Sequence, residues 1–168
     1  MRRTAQEIKN PELIEQVFAN SLVCRLGLCK DNTPYIVPVS FGYDGSSIFF
    51  HTAPEGMKLD FFAANPLVCF ELEDDVKTVA HATDACKWSA SYTSVIGYGK
   101  VVEVVDAQRK IYALHQVMKH YSGREWNFDP NEVPRTRVWE IVIDRMTGKI
   151  SKDKMIANRI SSVTIQND

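Results

Sequence analysis

The sequence lacks several features that would assign it to a familiar protein class. None of its four cysteines forms a C-x-x-C pair, so their spacing gives no support to a zinc site. No apolar run approaches the roughly 18 residues of a membrane-spanning helix, and the first residues are charged and polar rather than a signal-peptide core. We therefore expect a cytoplasmic protein that does not associate with membranes.

Basic residues are not in excess either. Twenty lysines and arginines stand against 21 aspartates and glutamates, which gives a formal net charge of -1. A balance of this kind provides no general positive field for nucleic acid or for an anionic membrane surface. Nucleic acid is therefore not an expected partner, and small-molecule ligands are.

Several sequence motifs of nucleotide-binding and nucleophilic enzymes are missing. The chain has no G-x-x-x-x-G-K-[ST] phosphate loop, no G-x-G-x-x-G fingerprint and no G-x-S-x-G elbow. The acidic residues Glu71, Glu73, Asp74 and Asp75 are typical of a solvated turn and show no metal-ligand spacing, so no metal is predicted.

What is present is a series of β-rich segments joined mainly by hairpin turns. In 168 residues, 45% of them hydrophobic, one domain can bury its own core. Six strands with peripheral helices predict a mainly β (α+β) fold, a small antiparallel barrel, because closure removes exposed strand edges. We assign residues 1–150 to this domain and 151–168 to a tail that packs on it or extends from it. The predicted strands are 22–29, 35–42, 47–52, 67–73, 92–105 and 138–144, and the predicted helices are 10–20, 58–65 and 106–121.

The most informative stretch is 48–58, where an apolar strand ends in His51-Thr52 and a helix then opens with Lys58. A lysine in the first turn of a helix costs roughly 0.3–1 kcal/mol unless something negative lies nearby. Backbone N–H groups, the Thr52 hydroxyl and the Lys58 ammonium therefore predict a phosphate site. The alternative is an ordinary strand-to-helix turn with a solvated lysine.

Two further residues are candidates for ligand contacts. Pro38 cannot donate a ladder hydrogen bond, which predicts an edge strand or a bulge. Free backbone groups there could pair with a planar heteroaromatic ligand, or the proline is simply tolerated at an edge. His51 shares a strand face with Ser47 and Phe49, and could bind a ligand or shuttle a proton near neutral pH; a structural histidine is the alternative.

The order and spacing of six segments resemble the FMN-binding split-barrel proteins related to pyridoxamine 5'-phosphate oxidase, and among them the nitroimidazole-resistance (Nim) family. This resemblance covers most of the chain. It implies a six-stranded antiparallel split β-barrel with peripheral helices and FMN as the cofactor. The segments are VCRL (23–26), PYIVPVSFGY (34–43), IFFHTAPEGMK (48–58), CKW (86–88), SVIGYGK (94–100) and MTGK (146–149).

The resemblance also implies roles for individual residues. The second strand would line the flavin ring, Lys58 would hold the phosphate, and His51 would be the catalytic candidate beside the flavin. Those oxidases have Arg-Lys where this chain has Met57-Lys58, so one phosphate cation fewer is implied. Their C-terminal substrate-binding arginine motif is also absent, so pyridoxamine phosphate is not the expected substrate. The implied cofactor-binding residues are Tyr35, Ile36, Val37, Pro38, Val39, Ser40, His51, Thr52, Lys58 and Ser94.

For function, the resemblance implies a homodimer with flavin at the subunit interface. The expected activity is an FMN-dependent oxidoreductase, in which NADH or NADPH supplies electrons for the reduction of a small aromatic or nitro compound. A second hypothesis is a non-catalytic module that binds flavin or haem, because no acid/base pair is evident in the sequence.

Overall fold

The structure, a computed structural model, describes residues 4–129 and 131–156, so positions 157–168 of the predicted tail lie outside the described residues. None of the described helices is long and apolar enough to cross a membrane. The α-helices are α1 (Pro11–Asn20), α2 (Met57–Ala64) and α3 (Ala107–Ser122), residues 152–156 are also helical, and short 3-10 turns cover Thr4–Gln6, Ala85–Lys87 and Val133–Arg135. The strands are β1 (Glu7–Ile8), β2 (Cys24–Lys30), β3 (Thr33–Val39), β4 (Gly42–Tyr43), β5 (Ser47–Thr52), β6 (Leu67–Val79), β7 (Ser89–Val104) and β8 (Arg137–Ile150).

These strands form one sheet in the order β3-β2-β6-β7-β8-β5-β4, and β1 pairs with β8. Six of the described strands have six or more residues, and each overlaps one of the six predicted strands. The mainly β architecture with peripheral helices is therefore confirmed. Within the described residues the hydrogen-bonded path is open, because it ends at β3 on one side and at β4 on the other.

Two tight turns have the local chemistry that their sequences predict. Asp31 and Asn32 adopt positive φ angles of 49° and 60°, which joins β2 to β3 in a two-residue hairpin. At the second turn, Asp44 Oδ1 accepts hydrogen bonds from the N–H groups of Ser46 and Ser47. Gly45 follows Asp44 with φ 96°, a left-handed angle that glycine adopts without steric cost.

The acidic segment after residue 70 corrects one prediction. Glu71 and Glu73 lie in the strand predicted over 67–73, but Asp74 and Asp75 also lie in this strand, β6, which continues to Val79, and not in a solvated turn. Basic partners reduce the charge repulsion along the strand: Arg25 Nη1 lies 3.2 Å from Glu71, and Lys77 Nζ lies 2.5 Å from Asp75. Strand pairing therefore overrides the local turn preference of the acidic run.

Helix α3 begins and ends where the sequence predicts. Asp106 caps its start, because the Asp106 carboxylate accepts a 2.8 Å hydrogen bond from the Arg109 N–H group. Gly123 ends it in a left-handed conformation, with its N–H group bonded to the Lys119 carbonyl. The buried face of α3 packs on β4 and β5.

The chain divides into two compact units, and one of them comprises residues 21–72 and 96–146. Its core lies partly between α3 and the sheet, where Phe49 is completely buried. Burial of such side chains is the main favourable contribution to stability, at about 1.5–3 kcal/mol for each large apolar group. The buried cluster comprises Phe49, Val104, Ala113, Leu114, Val117, Val133 and Val138.

The other unit contains residues 4–20, 73–95 and 147–156 of those described. Here β1 pairs with the end of β8, with Ile8 opposite Gly148. A Cβ atom at Gly148 would lie 2.9 Å from the Ile8 Cβ, so the absence of a side chain allows this close approach. The Tyr92 N–H group donates to Ser151 Oγ at 3.1 Å, which ties the residues after β8 to β7.

The cysteines only partly follow the expectation of buried, reduced thiols. All four are free, and burial raises the pKa of the Cys24 thiol to about 12. Cys69 is half-buried, whereas Cys29 and Cys86 are exposed, so the prediction of burial was wrong for these two. Their strand-like sequence context does not reveal which face of the sheet is covered.

Candidate functional site

The predicted ligand-lining strand, β3, lies at one end of the sheet. Among the described strands it pairs only with β2, so Pro38 is indeed on an edge strand, opposite Arg25. The side chains alternate: Val39 is buried, whereas Ile36 is 70% exposed and both Pro38 and Ser40 are also exposed. One face of the edge strand therefore remains accessible to a ligand, beside backbone groups that no strand engages.

The start of α2 has the features expected of an anion site. Gly56 is its N-cap residue and provides no side-chain hydrogen bond, so N–H groups of the first turn lack that partner. Lys58 lies in this turn, half-buried, and its ammonium makes no hydrogen bond or ion pair with the described residues. Asp60 lies in the same turn and offsets part of the positive charge.

Two aromatic contacts bring other predicted residues close to α2. The Tyr35 ring of β3 lies 5.1 Å from the Phe61 ring of α2, between centroids. Phe62 of the same helix packs 4.9 Å from Trp139 of β8. The Trp139 indole N–H donates to Thr52 Oγ1 at 3.1 Å, so Thr52 is linked to α2 through Trp139.

The Thr52 hydroxyl is nevertheless already engaged. It accepts the Trp139 hydrogen bond and donates its own proton to the Ala53 carbonyl at 2.9 Å. Thr52 is 8% exposed. A phosphate at α2 would therefore receive hydrogen bonds from Lys58 and backbone N–H groups, and from the Thr52 hydroxyl only after that hydroxyl rotated.

His51 lies on the opposite face of β5 from Thr52, because successive side chains of a strand point to opposite faces. Phe49, on the His51 face, packs against α3. The exposed His51 side chain lines a cavity beneath α3 and does not share the face of Thr52. Ser94, the remaining predicted contact, is a half-buried residue of β7 in the other compact unit.

Sequence reasoning missed the contacts that fix the end of β3. The Tyr121 hydroxyl accepts a hydrogen bond from the Phe41 N–H group at 3.0 Å and donates to the Leu22 carbonyl at 2.8 Å. His120 Nε2 lies 2.8 Å from the Ser21 carbonyl, and its ring packs 4.5 Å from the Phe41 ring. The C-terminal turn of α3 therefore positions the chain just after Ser40. No local motif signals these hydrogen bonds, because the residues that each one joins are 80 or more positions apart.

A charged cluster near the start of α3 was also missed. Arg109 donates to both carboxylate oxygens of Glu140, at 3.1 and 2.6 Å, and its guanidinium lies 4.9 Å from the centroid of Phe49. Tyr112 donates to Asp44 Oδ2 at 3.0 Å. Because these groups bond to one another, they have a structural role: they hold α3 against the β4–β5 hairpin.

The Asp44 carboxylate predicts a pH dependence of stability. Burial acts to raise its pKa, but hydrogen bonds from Ser46, Ser47 and Tyr112 together lower it below the usual 3.8. Because the folded pKa is the lower one, the stabilisation is complete above pH 3.8 and is lost as the pH falls through the folded pKa. We expect Asp44→Asn to cost about 1 kcal/mol at neutral pH.

Urea unfolding of wild type and Asp44→Asn at about pH 7 and about pH 3 measures this difference. The difference in the free energy of unfolding between wild type and Asp44→Asn should be smaller at the acidic pH. A difference that is the same at both pH values would show that the Asp44 charge does not contribute to stability.

The antiparallel sheet of this order, with its exposed edge strand and its helix after β5, defines a split-barrel protein. The chain belongs to the pyridoxamine 5'-phosphate oxidase family, whose model matches residues 10–150. A candidate 5-nitroimidazole antibiotic resistance protein from Bacteroides thetaiotaomicron VPI-5482 has a similar solved structure. It is 30% identical, with a TM-score of 0.76 over 86% of each chain.

More distant solved structures share the fold. An FAD and haem binding protein from Mycobacterium smegmatis is 16% identical, with a TM-score of 0.76 over 88% of this chain and 74% of its own. The flavocytochrome Anf3 from Azotobacter vinelandii is 15% identical, with a TM-score of 0.74 over 90% of this chain and 72% of its own. An uncharacterised curated relative from Rhizobium meliloti (strain 1021) is 30% identical over 67 residues, which span 40% of this chain and 44% of that protein.

Proposed function

We propose that this protein binds FMN and uses NADH or NADPH to reduce a small aromatic or nitro compound. Membership of the pyridoxamine 5'-phosphate oxidase family supports this proposal, as does the 30% identity to a candidate 5-nitroimidazole resistance protein. The observation that carries it is the Lys58 ammonium, which has no partner among the described residues and lies at the start of α2, where Gly56 provides no side-chain cap.

The residues present fit a flavin phosphate and ring. Lys58 and the first N–H groups of α2 would hold the phosphate, because both favour negative charge. The exposed side of β3, with Ile36 and Pro38, would lie along the ring. When bound, FMN supplies the redox chemistry by accepting a hydride from the nicotinamide and passing electrons to the acceptor. The protein's part is to bind, orient and limit access.

We further propose that the protein is a homodimer with flavin at the subunit interface. Large apolar side chains project from the sheet into solvent, among them Ile36, 70% exposed, and Leu67, 55% exposed. Ile96 and Tyr98 of β7 are also exposed, at 44% and 45%. Apolar residues in such numbers on one sheet are typical of a surface that another chain covers.

A visible spectrum of the purified protein, followed by titration with FMN, tests the cofactor. We expect the absorption bands of oxidised flavin, and under anaerobic conditions these should bleach with NADH or NADPH and return when a nitroimidazole is added. Light scattering on the same sample should give the mass of a dimer. A protein that stays colourless throughout the FMN titration would contradict the proposal.

The second candidate function is a flavin- or haem-binding module without turnover. The arrangement on β5 favours it, because His51, the one proposed catalytic residue, faces away from Thr52. Bleaching by a nicotinamide separates the two functions: a protein that binds FMN but is reduced by neither NADH nor NADPH is a binding module.

A further inference from the structure

A cavity of about 250 Å³ lies between the end of β5, α3 and the segment around Val133. It is on the His51 face of β5, and all of its lining residues belong to the unit formed by 21–72 and 96–146. Most of the wall is apolar, contributed by Leu114, Val117, Met118, Phe128 and Val133. Neither the Lys58 site nor the edge of β3 contributes to it.

Polar groups are confined to a few positions at this cavity: His51, Asp129, Glu132 and Thr136. Thr136 donates its hydroxyl proton to the Glu132 carbonyl at 3.1 Å. Asp129 Oδ1 accepts from the backbone and side-chain N–H groups of Asn131, and Glu132 Oε1 lies 3.4 Å from Arg135 Nη1. The hydroxyl and one oxygen of each carboxylate are therefore in use.

The remaining acceptors have no partner in the part of the chain that the structure describes. They are Asp129 Oδ2, Glu132 Oε2 and the imidazole of His51. Of the nearby cations, Arg135 pairs with Glu132 through Oε1 at 3.4 Å. The Lys110 ammonium donates to the carbonyls of Pro134 and Thr136 at 3.4 and 3.0 Å and forms no ion pair with either carboxylate. An apolar cavity with two exposed carboxylates at its rim favours a ligand that combines an aromatic body with a cationic N–H donor.

We propose that this cavity is a binding site for a small aromatic amine. The ring lies against Phe128, Met118 and the buried aliphatic side chains, and the ammonium group lies at Asp129 and Glu132. Asp129 and Glu132 are both exposed, and they disfavour an anion of the same shape because like charges repel, an effect that added salt should weaken. The site does not require FMN, so a protein that failed to bind flavin would still be expected to bind the amine.

Three probes with the same ring and different charges test the ligand class: tryptamine (cationic), indole (neutral) and indole-3-acetate (anionic). Binding is followed by NMR on the methyl groups of Leu114, Val117 and Met118, with the distant Leu26 and Leu72 methyls as internal controls. We expect tryptamine to bind at least about tenfold more tightly than indole-3-acetate, the range of a charge-assisted hydrogen bond. The Leu114, Val117 and Met118 signals should shift, and the control signals should not.

Two substitutions locate the site. Met118→Trp should fill the cavity and abolish binding of all three probes, whereas Lys119→Trp places the same bulk on an exposed neighbour and should leave binding unchanged. Glu132→Gln should weaken tryptamine by about threefold or more and leave indole unaffected. Equal binding of tryptamine and indole-3-acetate, methyl signals that do not respond, or binding that survives Met118→Trp would each overturn the proposal.

Discussion

Replacing Gly42 with alanine should lower the free energy of unfolding by about 3 kcal/mol, the upper part of the range for overpacking. A Cβ atom at this position would lie 2.3 Å from the Gln116 carbonyl carbon and 2.4 Å from the Val117 backbone nitrogen. Both belong to the backbone of α3, so no side-chain rotation can relieve the overlap. The helix would have to move away from β4, which would open the contacts around Phe49.

Urea unfolding measures this loss, and Gly27→Ala is the matched control. Gly27 also lies in a strand, but a Cβ atom there would be 3.6 Å from the Cys69 Cβ, an ordinary contact. We expect Gly27→Ala to change stability by no more than about 0.5 kcal/mol. Similar losses in the two variants would show that the approach of α3 to Gly42 is not what limits the size of this residue.

The hairpins and helix ends could be predicted because their causes are local. The two-residue turn at Asp31-Asn32 depends on side chains that tolerate positive φ angles. The ends of α3 depend on Asp106 and Gly123, each within one turn of the groups that they satisfy. For such elements, all the residues that determine the structure lie within the same short stretch of sequence, so that stretch is enough for the prediction.

The length of β6 could not be predicted in this way. Its acidic half has the composition of a turn, and although Lys77 lies in the same strand, another of its basic partners lies far away in the sequence. That partner is Arg25 of β2, 46 residues away from Glu71. Which cysteines are exposed likewise depends on which strands become neighbours, and that information is not present in a single segment.

The candidate site has features that local sequence predicts and features that depend on distant residues. The alternation along β5 already implies that His51 and Thr52 face opposite sides, so the separation of the two residues could have been drawn from the sequence. The engagement of Thr52 by Trp139 could not, because these residues are 87 positions apart. The same holds for Tyr121, whose hydroxyl holds the chain beside Ser40 from the far end of α3.

Replacing Lys58 with alanine should have opposite effects on two properties: weaker FMN binding, and equal or greater stability of the protein without FMN. If this ammonium holds the FMN phosphate, Lys58→Ala should weaken FMN binding by about 1–3 kcal/mol, or roughly 5- to 150-fold in Kd. The protein without FMN should be as stable as wild type or more stable by up to about 1 kcal/mol, because a lysine in the first turn of a helix is unfavourable without an anion. Fluorescence titration with FMN and urea unfolding without it measure the two effects.

Met57 provides the complementary test, because it is 59% exposed in the same turn and can be enlarged without crowding the core. Met57→Arg adds a second cation and should strengthen FMN binding by up to the amount that Lys58→Ala removes, with a steeper decrease in affinity as salt is raised. Lys119→Ala removes an exposed lysine from the last turn of α3 and should leave FMN affinity unchanged, while it lowers stability by up to about 1 kcal/mol because a cation is favourable at that end of a helix. If the phosphate site is at α2, Met57→Arg and Lys58→Ala must change FMN affinity in opposite directions, and Lys119→Ala must leave FMN affinity unchanged. If Lys58→Ala instead lowers the stability of the FMN-free protein and leaves Kd unchanged, Lys58 is a structural residue, and the flavin phosphate must be held elsewhere.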